Sequence, residues 1–310
     1  MDYGVHLPQI ALDGQPWSLQ RLLEYTETVE RLGFQTLCAN DHLLFSRPWL
    51  DGPTALAAVL TRTGRMALAT TVTLPVIRGP IPLAKSLAAI DLLSGGRLIV
   101  GAGPGSSAQD YAAVGIPFEE RWKRFDETVQ ALRALWRREG PPFIGEFYST
   151  EGIVLEPYPA QQPGPPLWIG SWGSEAGLRR VARLGDGWLA STYNTTPETF
   201  ADALSRLGEY LRDVGKDPSQ FPNAIATMFF YVTEDRAAAE QIVRDVLSPT
   251  LHRSEDELRQ RLPIGPAQEC AEKLAAYQAA GAQRLFLWPV EDELQQLTIF
   301  RERVVPLVRA

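Results

Sequence analysis

Eight short apolar segments recur along the chain, and this repeat constrains the fold more than any other feature of the sequence. Most of them are continuously apolar rather than alternating, as expected for strands buried on both faces of a parallel sheet. The segments are YGVHL (3–7), TLCAN (36–40), MALATTVTL (66–74), RLIVGAG (97–103), PLWIGS (166–171), GWLAS (187–191), AIATMFFYVT (224–233) and RLFLWPV (284–290).

Apolar residues at helical spacing fill the gaps between these segments. Gly33 and Gly281 follow two of the helical stretches as stop signals, and Thr196 with Pro197 marks the start of a third. Strand and helix thus alternate eight times, which predicts a (βα)8 TIM barrel. A doubly wound open sheet is the alternative, but it requires a break into two halves, and no linker is evident. The clearest helical stripes lie in 19–32, 122–136, 200–211, 270–277 and 294–307.

Two stretches interrupt the alternation, and we expect both to be excursions within one domain that covers 1–310. Residues 139–165 are rich in proline, glycine and aromatic residues and contain EFYSTEGIVLEP, which predicts a small β-hairpin. A loop of this length in a compact domain is often functional, for example as a lid. Residues 248–265 form a second, smaller excursion.

Composition and charge argue against several classes of protein. The net charge is −7 without a Lys/Arg cluster, which disfavours binding to nucleic acid and to anionic membranes. The start MDYGVHLPQI lacks a signal-peptide pattern, and no run of 18 apolar residues exists. Cys38 and Cys270 are far apart in sequence and are expected to be buried small hydrophobes. A cytoplasmic protein is therefore expected.

In a parallel barrel the functional residues lie at the C-terminal ends of the strands. His42 follows Asp41 at such an end and is one of three histidines in the chain. It is a candidate to hydrogen-bond a cofactor or to move a proton, and the alternative is a structural loop histidine. The other predicted strand ends are 71–78, 101–107, 170–174 and 191–194.

Two glycine-containing turns could hold a cofactor. In Gly170-Ser171-Trp172-Gly173-Ser174, free amides at a helix start could bind a phosphate, or Ser174 could simply be the N-cap of a tight turn. In the turn at 101–107, Gly103, Pro104 and Gly105 would let a flat ring approach the backbone. The chain contains no HExxH, paired CxxC, Walker or GxSxG motif, so metal hydrolysis, nucleotide-phosphate transfer and α/β-hydrolase chemistry lack support.

Several of these segments together resemble the bacterial-luciferase-like family, and its deazaflavin-dependent branch in particular. The resemblance covers nearly the whole chain in the order of the family. The matching segments are LGFQTLCANDHL (32–43), LATTVTLPVIRGPIPLAKSLAAIDLLSGGRLIVGAGPG (68–105), IPFEERWKRFDETVQALRALW (116–136), EFYSTEGIVLEPYPAQQPGPPLWIGSWGS (146–174), RLGDGW (183–188) and GPAQECAEKLAAYQAAGAQRLFLW (265–288).

The resemblance implies a barrel with an insertion before the fifth strand, and a flavin or deazaflavin ring over the strand ends. It implies a cis peptide at Thr71–Val72 in a bulge behind the ring. His42, beside Asp41, matches the histidine that contacts the ring, which some members use in catalysis. The turn from Gly170 to Ser174 matches the phosphate-binding turn, and Ser191 lies near it after the sixth strand.

The sequence also departs from the deazaflavin pattern. Some members place a lysine shortly after the sixth strand, where this chain has Ser191-Thr192-Tyr193-Asn194. Trp172 replaces a residue that is commonly small, and Ser106 or Ser107 stands near the position of an acidic proton donor. The sugar-phosphate dehydrogenase activity of the family is therefore not expected here.

The sequence thus predicts hydride transfer between coenzyme F-420 and a small organic substrate. Trp49, Tyr193 and Trp288, together with Trp172, are candidates for an apolar substrate wall, with core packing as the alternative. One further hypothesis is an FMN monooxygenase supplied by a partner flavin reductase. Another is a flavin-binding barrel without catalysis. A homodimer is left open.

Overall fold

The computed structural model describes residues 1–12 and 14–308, and a closed ring of parallel strands lies at its centre. The strands pair in the order β1 to β6, then β6 with β7, β7 with β9, and β9 with β1. All eight predicted strands are confirmed, and together they form the predicted (βα)8 barrel. The strands are β1 (Asp2–His6), β2 (Thr36–Ala39), β3 (Ala67–Thr73), β4 (Leu98–Ala102), β5 (Leu167–Gly170), β6 (Gly187–Ser191), β7 (Asn223–Val232), β8 (Ile264–Gly265) and β9 (Arg284–Pro289).

Helices surround this ring in the described part of the chain. They begin and end close to the signals in the sequence: Gly33 and Gly281 have positive φ, and Thr196 forms a capping box with Thr199. They are α1 (Leu19–Arg31), α2 (Gly52–Ala58), α3 (Pro75–Arg78), α4 (Pro80–Ser94), α5 (Ala108–Ala113), α6 (Arg121–Trp136), α7 (Glu175–Leu184), α8 (Pro197–Asp213), α9 (Arg236–Gln241), α10 (Ser248–Leu251), α11 (Glu255–Arg261), α12 (Ala267–Ala279), α13 (Glu293–Ile299) and α14 (Val305–Val308), with π-helical turns at Ile242–Leu247 and Phe300–Val304.

Not every apolar residue of the helical stripes belongs to the core. Trp122 is 39% exposed and lies under the guanidinium of Arg180, and Leu294 and Leu307 are also exposed. Cys38 and Cys270 are buried free thiols, as predicted. No helix among the described residues is both long enough and apolar enough to cross a lipid bilayer.

The excursion at 139–165 contributes no strand to the ring. An antiparallel bridge joins Ile144 and Ser149, so a short hairpin begins before the segment EFYSTEGIVLEP in which the sequence predicts one. Backbone amides of 146–148 donate to the carboxylate of Glu127 on α6, and Gln161 donates to Asp91 on α4. These contacts attach the segment to the outer helices α4 and α6. A lid function of the segment stays a prediction.

The second excursion, 248–265, contains α10, α11 and the two-residue strand β8, which the sequence did not predict. β8 pairs with Tyr231 and Val232 at the end of β7, beyond the barrel ring. Both excursions belong to the predicted 1–310 domain, whose residues 13, 309 and 310 lie outside the described residues. The single-domain organisation stays a prediction.

Candidate active site

The period of two along a strand explains which residues line the mouth of the barrel. An interior apolar layer contains Cys38, Trp168, Leu189 and Phe286. On each strand, the residue two positions further toward the C-terminal end points to the same side. It also lies closer to the C-terminal mouth. This places Asn40, Gly170, Ser191 and Trp288 around the predicted site.

The bulge at the end of β3 is the centre of this mouth. The Thr71–Val72 peptide is cis, as predicted, and the pairing of β3 with β4 shifts register between Thr70 and Thr73. The side-chain amide of Asn40 donates to the carbonyl oxygen of Thr71 at 2.7 Å. Asn40 is itself fixed because its backbone N–H donates to Gln9 at 2.6 Å. The bulge is therefore held by groups from neighbouring loops.

His6 lies beneath the bulge and was not predicted as a site residue. The imidazole is fully buried, and this burial lowers its pKa to about 3. Nε2 accepts the backbone N–H of Thr227 at 3.3 Å, so Nδ1 carries the proton and faces Thr71 Oγ1 at 3.4 Å. His6 is thus a neutral link between β7 and the bulge on β3.

Val72 occupies a space that only glycine neighbours provide. A Cβ on Gly103 would lie 2.9 Å from Val72 Cγ2, and a Cβ on Gly170 would lie 3.1 Å from Val72 Cγ1. Two glycines that the sequence assigned to cofactor contact therefore also accommodate the bulge. Gly105 has a φ of 82°, which favours glycine, and Pro104 accepts a hydrogen bond from the hydroxyl of Tyr111.

His42 lies at the edge of the mouth with its side chain 23% exposed. Its Nδ1 is 3.7 Å from Oδ2 of the buried Asp110 and has no hydrogen-bond partner among the described residues. The imidazole contacts Phe45 and Trp49, with ring centroids 4.9 and 4.7 Å away. Apolar rings on one side and a carboxylate on the other fix the orientation of this imidazole.

Three of the four predicted wall residues, Trp49, Tyr193 and Trp288, belong to one continuous array of aromatic rings. Trp49 meets Trp288 edge to face at 5.6 Å, Trp288 stacks on Phe229 at 5.2 Å, and Phe229 stacks on Tyr193 at 6.1 Å. Trp288 is only 1% exposed and also stacks on His6, so it supports the wall from below. Burial raises the pKa of Tyr193, while a hydrogen bond with Thr227 opposes the shift.

Asp41 is buried and its carboxylate is already engaged. It accepts two hydrogen bonds of 2.6 Å from Arg78, and others from Thr73 Oγ1 and the Leu74 amide. Arg78 also pairs with Asp51. The structure thus gives Asp41 a role in holding Arg78 and the β3 loop, and contact with a cofactor stays a prediction.

The predicted phosphate turn is a capped helix start. Ser174 Oγ accepts the Gly177 amide at 3.2 Å and begins α7, and Gly173 has a φ of 86°. The Gly173 amide donates to Ser171 Oγ. Trp172, the fourth candidate for the substrate wall, is 58% exposed, so much of its indole faces solvent. Ser191 Oγ lies 3.3 Å from Thr227 Oγ1 on the neighbouring strands.

Two arginines from a segment that is remote in sequence lie at the end of β6. Arg253 donates to the side-chain oxygen of Asn194 at 3.2 Å, and Arg261 donates to the carbonyl of Tyr193. Asn194 Nδ2 and Arg261 Nε are buried without partners in the described chain. Arginines of the second excursion therefore lie next to the stretch where some deazaflavin members have a lysine. The three arginines of 248–265 were the only sequence signal, and the same range also holds three acidic residues.

A cavity of about 370 Å³ opens beside His42. This volume lies in the usual range for small-molecule sites. Loops and helices after β2, β3 and β4 surround it, so it extends outward from the mouth of the barrel. It is lined by Asp41, His42, Leu43, Trp49, Asp51, Pro53, Leu74, Ile77, Arg78, Pro82, Leu83, Ser86 and Val114.

The fold and the mouth together define a luciferase-like oxidoreductase. The family model described as luciferase-like monooxygenase matches residues 3–284, and the chain belongs to this family. The resemblance seen in the sequence is thereby confirmed.

Characterised relatives include enzymes named for coenzyme F-420. The chain is 26% identical to an F-420-dependent hydroxymycolic acid dehydrogenase of Mycobacterium tuberculosis, with 97% of this chain and 88% of the relative covered. It is 31% identical to an F-420-dependent glucose-6-phosphate dehydrogenase of Rhodococcus jostii, with 71% and 67% covered.

Solved structures share the fold. An F-420-dependent secondary alcohol dehydrogenase superposes with a TM-score of 0.85 at 20% identity, with 100% of this chain and 99% of that chain covered. A monooxygenase from Streptomyces bottropensis gives a TM-score of 0.84 at 24% identity, with 99% of both chains covered. At these identities the likeness describes the architecture alone.

Proposed function

We propose that this oxidoreductase transfers a hydride between coenzyme F-420 and a small organic substrate. The observation that carries the proposal is the arrangement of the mouth. The Val72 bulge lies between Gly103 and Gly170, with His42 at one side and the start of α7 at the other. The names of the characterised relatives favour F-420 over FMN.

The residues present fit a flat ring with a phosphate-bearing chain. Val72 and the glycines beside it offer a flat backbone surface for the ring. Among the described residues, the backbone amides of 174–176 at the start of α7 make no hydrogen bond, and they can bind a phosphate with help from the helix dipole. Ser171, Trp172 and Ser191 would border that phosphate, and Thr71, Pro104 and Gly105 would border the ring.

The cations near Asn194 fit the anionic groups of this coenzyme. Arg253 makes no ion pair with a carboxylate in the part of the chain that the structure describes. The unpartnered Asn194 Nδ2 adds a donor at the same place. A phosphate or a carboxylate of the coenzyme tail would satisfy both groups.

When bound, the deazaflavin would accept or donate the hydride. His42 would hold or move the proton of the substrate hydroxyl through Nε2, with Nδ1–H directed toward Asp110. His6, which burial keeps neutral, and Asn40 would hold the bulge in place during turnover. Trp49 and Tyr193 would exclude water from the reacting atoms, supported from below by Trp288.

Titration of the apoprotein with oxidised F-420 and with FMN tests the proposal. We expect F-420 to bind at least about tenfold more tightly, a difference of about 1.4 kcal/mol. Reduced F-420 should then be oxidised by a substrate under anaerobic conditions.

Two other outcomes would replace the proposal. Tighter binding of FMN, with oxygen consumption in the presence of a flavin reductase, would support the two-component monooxygenase of this family. Tight binding of either coenzyme without turnover on any alcohol or carbonyl compound would support a flavin-binding barrel.

A further inference from the structure

The cavity beside His42 has one polar wall, and the charges of this wall are already paired. Arg78 binds the carboxylates of both Asp41 and Asp51. Asp51 also accepts the Thr54 amide as the N-cap of α2. Burial tends to raise the pKa of Asp51, but the hydrogen bonds from Thr54 and Arg78 outweigh this effect and lower it.

This pairing leaves the wall with a net negative charge. Two carboxylates face one guanidinium, and both Nε and Nη2 of Arg78 donate to them. A phosphate or carboxylate in the cavity would lose its water and meet Asp51 at close range, which is unfavourable. The cavity therefore selects against anionic substrates.

The remaining lining is apolar and continues onto the protein surface. Leu43, Trp49, Ile77 and Leu83 belong to this part of the lining. Apolar side chains also lie exposed at the outer end. Leu43 is 52% exposed and Val114 is 37% exposed, and both line the cavity.

Two further exposed apolar residues are sequence neighbours of the lining residues. Leu44 (46% exposed) follows Leu43, and Ile81 (37% exposed) precedes the lining residue Pro82. A cluster of exposed large apolar residues at the opening of a cavity marks a binding surface more often than an ordinary solvent surface. Leu43 and Val114 continue the apolar lining from the cavity to the protein surface, and this lining is called the apolar path.

We propose that the substrate is an uncharged alcohol, or the corresponding carbonyl compound, with an apolar chain. The inference rests on the proposed function. The carbon that bears oxygen lies at His42, and the chain fills the cavity and leaves over Leu43 and Val114.

The reaction balances without a further reactant. In oxidation the carbinol C–H bond breaks and its hydride passes to the deazaflavin, which is thereby reduced. The hydroxyl proton passes to His42 and the C=O bond forms. Reduction of the carbonyl compound is the reverse, with His42 returning the proton.

A series of 2-butanol, 2-hexanol and 2-octanol tests the apolar path. Calorimetry measures their affinities for the coenzyme-free protein and for the F-420-loaded protein. Each methylene that enters the cavity should tighten binding by about fourfold. Glucose 6-phosphate should bind far more weakly than 2-octanol.

Two matched variants locate the path. Leu43→Ser should reduce the gain between 2-hexanol and 2-octanol, because Leu43 lines the outer end of the cavity. Leu93→Ser, at the far end of α4 and 75% exposed, should leave all affinities unchanged. Both positions are exposed, so neither substitution threatens the fold.

The outcomes separate this inference from the proposed function. Affinities that do not depend on chain length, or a dependence that Leu43→Ser leaves intact, would overturn the inference even when F-420 binds normally. Binding of glucose 6-phosphate as tight as that of 2-octanol would also overturn it. If the affinity for alcohols rises with chain length in a protein that takes up no F-420, the result supports the apolar path and refutes the proposed function.

Discussion

Nδ1 of His42 lies 3.7 Å from Oδ2 of Asp110, a carboxylate that is buried at the start of α5. Oδ1 of Asp110 accepts the Leu44 amide at 2.8 Å, so the carboxylate also fixes the loop that carries His42. The two residues follow different strands, β2 and β4, and only the barrel brings them together. Asp110 is thus a positioning residue for His42.

Replacing His42 by alanine should lower turnover by about 10²–10⁴-fold, the usual contribution of a general acid or base. The midpoint of thermal unfolding should barely change, because the imidazole is partly exposed and its Nδ1 makes no hydrogen bond with any described residue. Asp110→Asn should give a smaller loss of turnover and retain F-420 binding. A folded His42→Ala variant with full turnover would exclude a catalytic role.

Adding a methyl group at Gly103 should destabilise the bulge. The new Cβ would lie 2.9 Å from Val72 Cγ2, so Gly103→Ala should lower the free energy of unfolding by about 1–3 kcal/mol. F-420 affinity should fall as well, because in the proposed function the bulge would support the ring. Urea unfolding and coenzyme titration measure the two effects.

The double variant Gly103→Ala with Val72→Ala serves as the control for this steric explanation. Val72→Ala removes the methyl groups that would clash with the new Cβ. Gly103→Ala should therefore cost less stability in the Val72→Ala protein than in the wild type. Additive effects of the two substitutions would show that the clash is not the cause.

Removing the charge of Arg253 should weaken binding of F-420. Arg253→Gln deletes a cation beside Asn194, and we expect a loss of about tenfold in affinity, typical of one charge-assisted hydrogen bond. The affinity of the variant should also depend less on salt concentration. The matched control is Arg236→Gln, which removes an exposed ion pair with Glu269. Equal losses in both variants would argue against a specific role of Arg253.

The buried His6 should make stability depend on pH. Its pKa is about 3 in the folded protein, because burial disfavours the charged form, and about 6.5 in the unfolded chain. Between these pH values the unfolded chain binds a proton that the folded protein does not bind. The contribution of His6 to stability is therefore complete above a pH of about 6.5 and falls as the pH drops. From pH 7 to pH 5 the loss attributable to His6 is about 2 kcal/mol.

Urea unfolding of the wild type and of His6→Gln at both pH values tests this expectation. The variant should lose about 2 kcal/mol less than the wild type over the same interval, whatever its stability at pH 7. Equal losses would show that His6 does not stay neutral in the folded protein.

Local patterns in the sequence determined the strands, the ends of helices and the strand-end positions of the site. Continuous apolar segments predict buried strands, Ser174 and Thr196 predict caps, and Gly33 predicts a stop, because each signal depends on a few neighbouring residues. The family resemblance added the bulge at Thr71–Val72, which no periodicity indicates.

Only the tertiary structure showed what these positions contact. His6 meets Thr227, His42 meets Asp110, and Arg253 meets Asn194, and each pair is far apart in sequence. Such contacts follow from closure of the barrel and from the register of its strands, which bring the ends of several strands to one mouth. Periodicity specifies which face of a strand a residue occupies, but the partner on that face depends on where the other strands end.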